Sequence, residues 1–411
     1  MKSVLFCLFF LLAGLSSFAQ QKEVPYVILV SFDGFRYDYV TNFDPPNFRK
    51  FIAKGSQAEA LIPSFPSKTF PNHYTLVTGL SPGNHGLVDN TFYDPLRKEI
   101  YKMSDKVKVT DPYYYGGVPL WQLAKMNGMK SASYFWVGSE MSEESRRPDY
   151  YFPFDDKVDP QKRVDQVIDW LKLPAAERPH FITVYFSFPD HESHMYGPNS
   201  EEAKLAVLRA DTLLGNMMKR VAETSLPVNV MLVSDHGMHE ITVDTSTYIF
   251  IDELVDRKNP HVVLANGGTQ AHLYISDRSK RDSVYAVLKR NEKNYTVHNK
   301  ENFPAHWHYQ NARAGDLIVI ARPLHYIREG SRERFIKSMK PGTKKGEHGY
   351  DPVEVPEVRG IFYAQGPHIK SGIMLPAFQN IHVYPLVAKI LGLPIPVIDG
   401  KEGVLDKIYK K

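Results

Sequence analysis

Acidic residues stand at the ends of three apolar runs in this sequence. The runs occupy residues 27–32, 182–188 and 230–233, and the carboxylates that follow them are Asp33, Asp190 and Asp235. Runs rich in β-branched and aromatic residues, without polar alternation, are typical of strands buried on both faces of a parallel sheet. Ligands bind at the carboxyl ends of such strands. We therefore expect the three carboxylates to converge at one edge of the sheet.

Histidines accompany these carboxylates at spacings that suit metal binding. His194 comes four residues after Asp190, His236 comes directly after Asp235, and His348 lies in a turn-rich segment. One Asp–His neighbour alone is most often a turn beside a core histidine. Three carboxylates and three imidazoles together favour two divalent ions of the zinc type, with open positions for a substrate.

A hydroxyl that such ions could activate lies in the proline-rich segment 63–73, ahead of an apolar helix at residues 74–77. Thr69 would then stand at the start of the helix. Backbone N–H groups and the positive end of the helix dipole favour an alkoxide or a phosphoryl group there. The alternative is that Ser67 or Thr69 is an ordinary N-cap.

Helical segments alternate with the strands that carry these residues. The strongest helical patterns occupy residues 120–126, 161–173 and 200–223. This alternation predicts an α/β fold with a doubly wound, mostly parallel sheet and helices on both faces. Shorter elements between His236 and His348 predict a smaller inserted α+β lobe at about 238–345, within a domain that covers residues 24–411.

The N-terminus resembles an export signal. Of the 411 residues, 43% are hydrophobic and 23% are charged, as in a soluble enzyme with a sizeable core. Lys2 precedes an apolar run at residues 4–15, and small residues follow up to Ala19. We interpret residues 1–19 as a signal peptide. The run is shorter than the ~20 apolar residues of a membrane anchor. A periplasmic or secreted protein without a stable membrane anchor is the expectation.

Cysteine content and charge narrow the classes further. Cys7, the single cysteine, lies inside the signal segment, so the mature chain has no disulfide to stabilise it. The formal net charge is +4, without a long basic run. The sequence therefore suggests no nucleic acid as a structural partner and favours a small-molecule substrate.

Six segments of the chain together resemble one enzyme family. They are Ser31 to Arg36, Pro66 to His73, Asp89 to Asp94, Pro189 to Pro198, Ser234 to Met238 and Gly346 to Tyr350. In residue types and order they are similar to the nucleotide pyrophosphatase/phosphodiesterase family of the alkaline phosphatase superfamily. The resemblance extends over nearly the whole mature chain.

The resemblance implies roles for individual residues. It implies two Zn²⁺ per chain, one held by Asp190, His194 and His348 and the other by Asp33, Asp235 and His236. Thr69 would bind the second ion and act as the nucleophile. Asn90 would orient the phosphate, with its side-chain N–H and the backbone N–H of Phe70 holding a non-bridging oxygen. Local sequence alone would favour an ordinary turn at Asn90.

The chain departs from the family pattern at one position. Where the family usually has a glycine before the histidine of its third motif, this chain has Ser193. A tight turn there would need a different backbone conformation, because only glycine adopts positive φ freely.

The expected substrate follows from the aromatic residue beside Thr69. In the family, an aromatic at the position of Phe70 and a second aromatic stack on a nucleobase. In this chain, Phe154 and Tyr151 are the candidates for that second ring. Core packing is the alternative for both. The expected function is a zinc-dependent phosphodiesterase or nucleotide pyrophosphatase that releases 5′-nucleotides through a phosphothreonine intermediate. Two alternatives stay open: a phospholipid-headgroup or phosphonate hydrolase, and a non-catalytic, zinc-stabilised extracytoplasmic binding protein.

Overall fold

The computed structural model of the protein describes residues 24–411. The predicted signal peptide, with Cys7, lies outside the described residues. Among residues 24–411, no helix is both long enough and apolar enough to cross a membrane.

Eight strands form the central sheet. Numbered here in chain order, they are β1 (Tyr26–Phe32), β2 (Ser56–Ala58), β3 (Ser131–Tyr134), β4 (Tyr150–Phe152), β5 (Phe181–Phe186), β6 (Val228–Val233), β7 (Phe362–Gln365) and β8 (Ile373–Leu375). Their order across the sheet is β8-β2-β7-β6-β1-β5-β3-β4. β7 runs antiparallel to its two neighbours, and every other pair in the sheet is parallel. The three predicted strands are thus β1, β5 and β6, side by side at the centre.

Both faces of this sheet are buried, which explains the unbroken apolar runs. Along β1, Val27 and Leu29 pack into one core, while Ile28 and Val30 pack into the other. The helices on the first face are Thr69–Thr78, Leu120–Met126 and Val383–Leu391. The helices on the second face are Pro46–Lys54, Pro160–Leu171 and Glu201–Glu223. The predicted α/β fold with helices on both faces is confirmed.

The helix ends follow from local chemistry. The helix Glu201–Glu223 begins after Ser200, whose hydroxyl accepts a hydrogen bond from the Ala203 N–H at 3.1 Å. The helix predicted near residue 74 begins earlier, at Thr69, and its N-cap is Lys68 in an extended conformation. Neither Ser67 nor Thr69 is therefore the N-cap.

A second, four-stranded antiparallel sheet builds the smaller lobe. Its strands, in spatial order, are Val262–Asn266, Gln270–Ile275, Leu317–Ala321 and Tyr295–Asn299. The helix Arg278–Arg290 packs beside them, and the sheet contributes to a core of its own. Strand His239–Thr242 pairs with Lys344–Glu347 where the chain leaves and re-enters the region of the candidate metal ligands. The fold thus contains the α+β insertion, while its boundaries at 238–345 stay a prediction.

The remaining elements are short and connect the larger ones. The strand pairs are Leu61–Ile62 with Phe378–Gln379, Thr91–Asp94 with Glu99–Lys102, and Tyr248–Phe250 with Tyr326–Arg328. The helices are Tyr39–Phe43, Pro82–His85, Lys106–Thr110, Asp190–Tyr196 and Arg332–Ser338. The 3₁₀ turns are Pro112–Tyr114, Glu144–Arg146, Ile251–Glu253, Lys300–Asn302, Ala305–Trp307, Ala312–Ala314, Pro356–Val358 and Asn380–His382.

Candidate active site

The three predicted carboxylates meet at the carboxyl ends of β1, β5 and β6. The Asp190 N–H donates to the Asp33 carbonyl at 3.1 Å, and the Gly34 N–H donates to Asp235 Oδ1 at 3.3 Å. Gly34 has φ +66°, and a Cβ there would lie 2.9 Å from the Asp190 Cα. Position 34 therefore requires glycine, because the loops after β1 and β5 touch at this point.

One group of ligand atoms comes from Asp33, Asp235 and His236, which are all buried. His236 Nε2 lies 3.0 Å from Asp235 Oδ2 and 3.5 Å from Asp33 Oδ1. The three ligand atoms lie within 4.8 Å of one another, which is close enough to surround a single cation.

The second group lies directly beside the first. Asp190 Oδ1 is 3.4 Å from His194 Nε2 and 3.8 Å from His348 Nε2. The rings of His236 and His348 stack with their centroids 3.6 Å apart, and ligand atoms of Asp190, His236 and His348 also lie within 4.8 Å of one another. The fold thus brings all six predicted ligands together.

Backbone carbonyls orient the three imidazoles. The Nδ1 atoms of His194, His236 and His348 lie 2.7, 2.8 and 2.8 Å from the carbonyl oxygens of Gly346, Gly237 and Ser67, respectively. Because a carbonyl only accepts, each Nδ1 carries a hydrogen, and each Nε2 is the nitrogen that faces the carboxylates and is available to a metal ion. Metal-binding histidines are commonly oriented by such contacts.

The carboxylates carry oxygens that the described residues do not satisfy. Asp33 Oδ1, Asp190 Oδ1 and Asp235 Oδ2 are buried and have no hydrogen-bond partner within residues 24–411. Burial, followed by the charges of Asp235 and Asp190, raises the pKa of Asp33 well above its ordinary value. Burial likewise lowers the pKa of His348, which keeps that ring neutral. Unpaired buried carboxylates are costly, and divalent cations would satisfy and neutralise them. The donor set therefore fits zinc.

Thr69 faces the first group of ligands. Its Oγ1 lies 3.3 Å from His236 Nε2, at the first residue of the helix Thr69–Thr78. The ammonium group of Lys68, the residue before Thr69, is buried and donates to the His348 carbonyl at 2.7 Å, which fixes the position of Lys68. Thr69 is thus positioned by the same segment that orients a candidate ligand.

Asn90 lies next to the nucleophile candidate, in a different arrangement from the expected one. Its Oδ1 accepts the Phe70 N–H at 2.9 Å, so that N–H is already engaged. A backbone donor in a partly buried loop needs an acceptor, and the Asn90 amide oxygen provides it. This contact leaves the Asn90 amide nitrogen as the donor available to a ligand.

The aromatic candidates have different surroundings. Phe70 is partly buried, and Phe154 is 46% exposed with its ring 6.1 Å from that of Tyr185. The Tyr185 hydroxyl donates to Asp33 Oδ2 at 2.7 Å, which connects Phe154 to a candidate ligand. The Tyr151 ring instead lies 5.1 Å from the guanidinium of Arg147. These contacts favour Phe154 over Tyr151 as the second wall of a pocket.

Two contacts of the site were missed by the sequence analysis. Tyr185 lies in an apolar run of the sequence, where nothing indicates that its hydroxyl contacts Asp33. His73 is fully buried, with Nδ1 3.4 Å from Asp235 Oδ2 and Nε2 2.9 Å from Ser31 Oγ. Its position four residues after Thr69, one helical turn away, was the signal available in the sequence.

Ser193 causes no distortion at the position where the family usually has glycine. It lies inside the helix Asp190–Tyr196 and is absent from the residues with positive φ among those described. Its hydroxyl lies 3.1 Å from the Tyr39 hydroxyl. Because the segment is helical, Asp190 and His194 stand on one face, and the i, i+4 spacing itself places both ligands.

Comparison with known proteins identifies the family of this chain. The sequence model of the family described as type I phosphodiesterase / nucleotide pyrophosphatase matches residues 27–351. A venom phosphodiesterase of Crotalus durissus collilineatus is 33% identical over 93% of this chain and 46% of its own length. Human ectonucleotide pyrophosphatase/phosphodiesterase family member 1 is 33% identical over 94% of this chain and 42% of its own length. The chain spans about half the length of these curated relatives.

Solved structures show the same fold over almost the whole chain. Murine ectonucleotide pyrophosphatase/phosphodiesterase 5 matches with a TM-score of 0.85 and 28% identity, covering 94% of this chain and 100% of that one. An inactive threonine-to-alanine variant of that murine protein, solved in complex with AMP, matches equally well. The predicted resemblance is confirmed: the chain belongs to the type I phosphodiesterase / nucleotide pyrophosphatase family.

Proposed function

We propose that this chain is a zinc-dependent phosphodiesterase and nucleotide pyrophosphatase that releases 5′-nucleotides through a phosphothreonine intermediate. One observation carries the proposal: the Thr69 hydroxyl begins a helix 3.3 Å from a ring nitrogen of His236, beside three unpaired buried carboxylate oxygens. A structural metal site alone would have no use for a hydroxyl placed in this way.

The metal centre would consist of two Zn²⁺. Asp33, Asp235 and His236 would hold one ion together with Thr69. The other ion would be held by Asp190, His194 and His348. When bound, such ions supply Lewis-acid stabilisation of the charge that develops on the attacking and leaving oxygens.

The residues of the chain would divide the reaction into two displacements. Thr69 Oγ1 gives its proton to solvent and attacks phosphorus, so that an Oγ1–P bond forms while the bond from phosphorus to the leaving oxygen breaks and that oxygen departs with the bonding electron pair. The positive end of the helix dipole at Thr69 favours the anionic phosphoryl group. The Asn90 amide nitrogen donates to a non-bridging oxygen. Water then attacks phosphorus and frees Thr69, and the two inversions give net retention.

The substrate would be a nucleotide diester or phosphoanhydride. The AMP complex of the murine relative supports a nucleoside 5′-monophosphate as the retained group. Phe70 and Phe154 would hold the base between two aromatic faces, which contributes about 1–3 kcal/mol for any base. The predicted signal peptide would place this activity in the periplasm or outside the cell.

A comparison of three chromogenic substrates tests the proposal. A nucleoside 5′-(p-nitrophenyl) phosphate should be hydrolysed much faster than p-nitrophenyl phosphate or p-nitrophenyl phosphorylcholine, because only the first offers a base to stack. Preference for phosphorylcholine would support a lipid-headgroup hydrolase instead. No turnover of any substrate by a fully metallated protein would support the non-catalytic alternative.

A further inference from the structure

A cluster of buried polar side chains joins the lobe to the catalytic loop. Its members, all fully buried, are Asp89, Thr269, Gln270 and His272. Asp89 precedes Asn90, and the other three residues lie at or next to the lobe strand Gln270–Ile275. The proposed displacement steps use none of the four, although burying such groups is costly unless each finds a partner.

The Asp89 carboxylate is the centre of the cluster. Its Oδ1 accepts the Asn90 N–H at 2.6 Å. Its Oδ2 accepts Gln270 Nε2 at 2.5 Å and lies 2.9 Å from His272 Nε2. One side chain therefore ties the backbone of Asn90 to two residues of the lobe. Asn90 Oδ1 in turn accepts the Phe70 N–H, so this chain of hydrogen bonds extends to the residue after Thr69.

The proton count shows that the contact between Asp89 and His272 is specific. His272 Nδ1 lies 3.0 Å from the Ala314 carbonyl, which only accepts, so Nδ1 carries a hydrogen. The 2.9 Å contact between Nε2 and the carboxylate then needs one further proton between the two atoms. Such a pair holds its two partners in one relative orientation.

The same lobe segment also reaches the turn that carries a candidate ligand. Thr269 Oγ1 lies 2.5 Å from Gln270 Oε1 and 3.1 Å from the His348 carbonyl. Gly349, the next residue, has φ +115°, and a Cβ there would lie 2.1 Å from Thr269 Oγ1. The lobe thus packs tightly against both the Asn90 loop and the His348 turn.

We propose that Asp89 is a positioning residue through which Gln270 and His272 of the lobe aim the Asn90 amide at the phosphoryl group, a role that rests on the proposed function. The inserted lobe then contributes to catalysis without touching the substrate. Its contribution is the orientation of one donor toward the phosphoryl group, so it should appear both in kcat and in the affinity for a bound phosphate group.

A double-mutant cycle tests this role. Asp89→Asn places an amide nitrogen against the Gln270 amide nitrogen, and we expect kcat on the nucleotide ester to fall about tenfold. In an Asn90→Ala background the same substitution should change kcat by less than about twofold, since its effect passes through Asn90. An equal loss in both backgrounds, or no loss in either, would overturn the proposal.

Rescue and a matched control separate positioning from folding. The double variant Asp89→Asn with Gln270→Glu again pairs a donor with an acceptor between positions 89 and 270 and moves the carboxylate to position 270, and it should recover most of the lost kcat. Leu273→Val, next to His272 in the lobe core, should lower the melting temperature and leave kcat unchanged. A failure of the swap to recover activity, with normal folding by circular dichroism, would count against the proposal.

A readout without turnover distinguishes this inference from the proposed function. In the Thr69→Ala protein, Asp89→Asn should weaken AMP binding, measured by calorimetry, about tenfold when Asn90 is present and not when it is alanine. Wild-type hydrolysis rates report on the proposed function, whereas this difference in AMP affinity reports on Asp89. If Asp89→Asn does not fold, His272→Leu takes its place, with His272→Gln, which keeps a donor to Asp89, as its control.

Discussion

Replacing Phe70 with alanine tests the nucleotide specificity of the site. One side of the Phe70 ring packs against the core beside the sheet, and the side chain is only partly buried. The exposed part of the ring can therefore stack on one base. Stacking of one base on an aromatic ring contributes about 1–3 kcal/mol. Since 1.4 kcal/mol corresponds to about tenfold, kcat/KM for a nucleotide ester should fall by a factor between about five and somewhat more than a hundred.

The backbone hydrogen bond of Phe70 does not involve its side chain, so the substitution isolates the effect of the ring. Asn90 Oδ1 accepts the N–H of Phe70, not an atom of its ring, so Phe70→Ala retains the bond that holds the loop. Loss of core contacts will lower stability, and Phe70→Leu controls for this loss because it keeps apolar volume without an aromatic face. Phe70→Tyr keeps the aromatic face and should retain most of the activity.

The assay compares two diesters that share a leaving group. Initial rates on a nucleoside 5′-(p-nitrophenyl) phosphate should fall in the alanine and leucine variants, while rates on methyl p-nitrophenyl phosphate, whose retained group has no aromatic face, should change much less. Equal losses on both diesters would refute the reasoning, because Phe70 would then only shape the loop that carries Thr69.

Three further predictions address the nucleophile, the ligands and the acid stability. Thr69→Ala should abolish hydrolysis while the folded protein keeps its zinc by elemental analysis; near-normal turnover at equal zinc content would exclude Thr69 as the nucleophile. Asp190→Ala or His348→Ala should lower bound zinc together with activity, and full occupancy of two ions in either variant would remove that residue from the ligand set. Burial lowers the pKa of His85 from 6.5 to about 3, so its contribution to stability is complete above 6.5 and is lost as the pH falls toward 3. His85→Gln should flatten this decline in the urea midpoint, and an unchanged slope would show that other groups cause it.

The sequence predicted the parts of the fold that depend on a single pattern. The runs at β1, β5 and β6 are apolar on both faces, so their burial and their common edge could be inferred without a partner being known. The helix Leu120–Met126 has the predicted bounds. The start of the helix at Thr69 was set too late, because a threonine, a phenylalanine and a proline in its first turn do not resemble a helix.

The contacts that orient the site could not be predicted, because they join residues far apart in the chain. The bond between Tyr185 and Asp33 spans 152 residues, and the bond between His272 and Asp89 spans 183. Neither tyrosine nor histidine at such positions differs locally from a core residue. Only the register of the sheets brings these groups to hydrogen-bond distance.

The candidate ligand histidines are held by a set of segments that contact one another. Ser67, two residues before the nucleophile candidate, orients His348 through its carbonyl, and Gly346, two residues before His348, orients His194. The Ser67 hydroxyl in turn donates to the Tyr350 carbonyl at 2.8 Å. The loop that presents Thr69 and the turn that presents His348 therefore cannot shift independently. Because His348 and His194 are each oriented by the backbone of another segment of the site, substitutions at residues 66–68 should change metal affinity as well as the chemical step, even where the replaced side chain binds no metal.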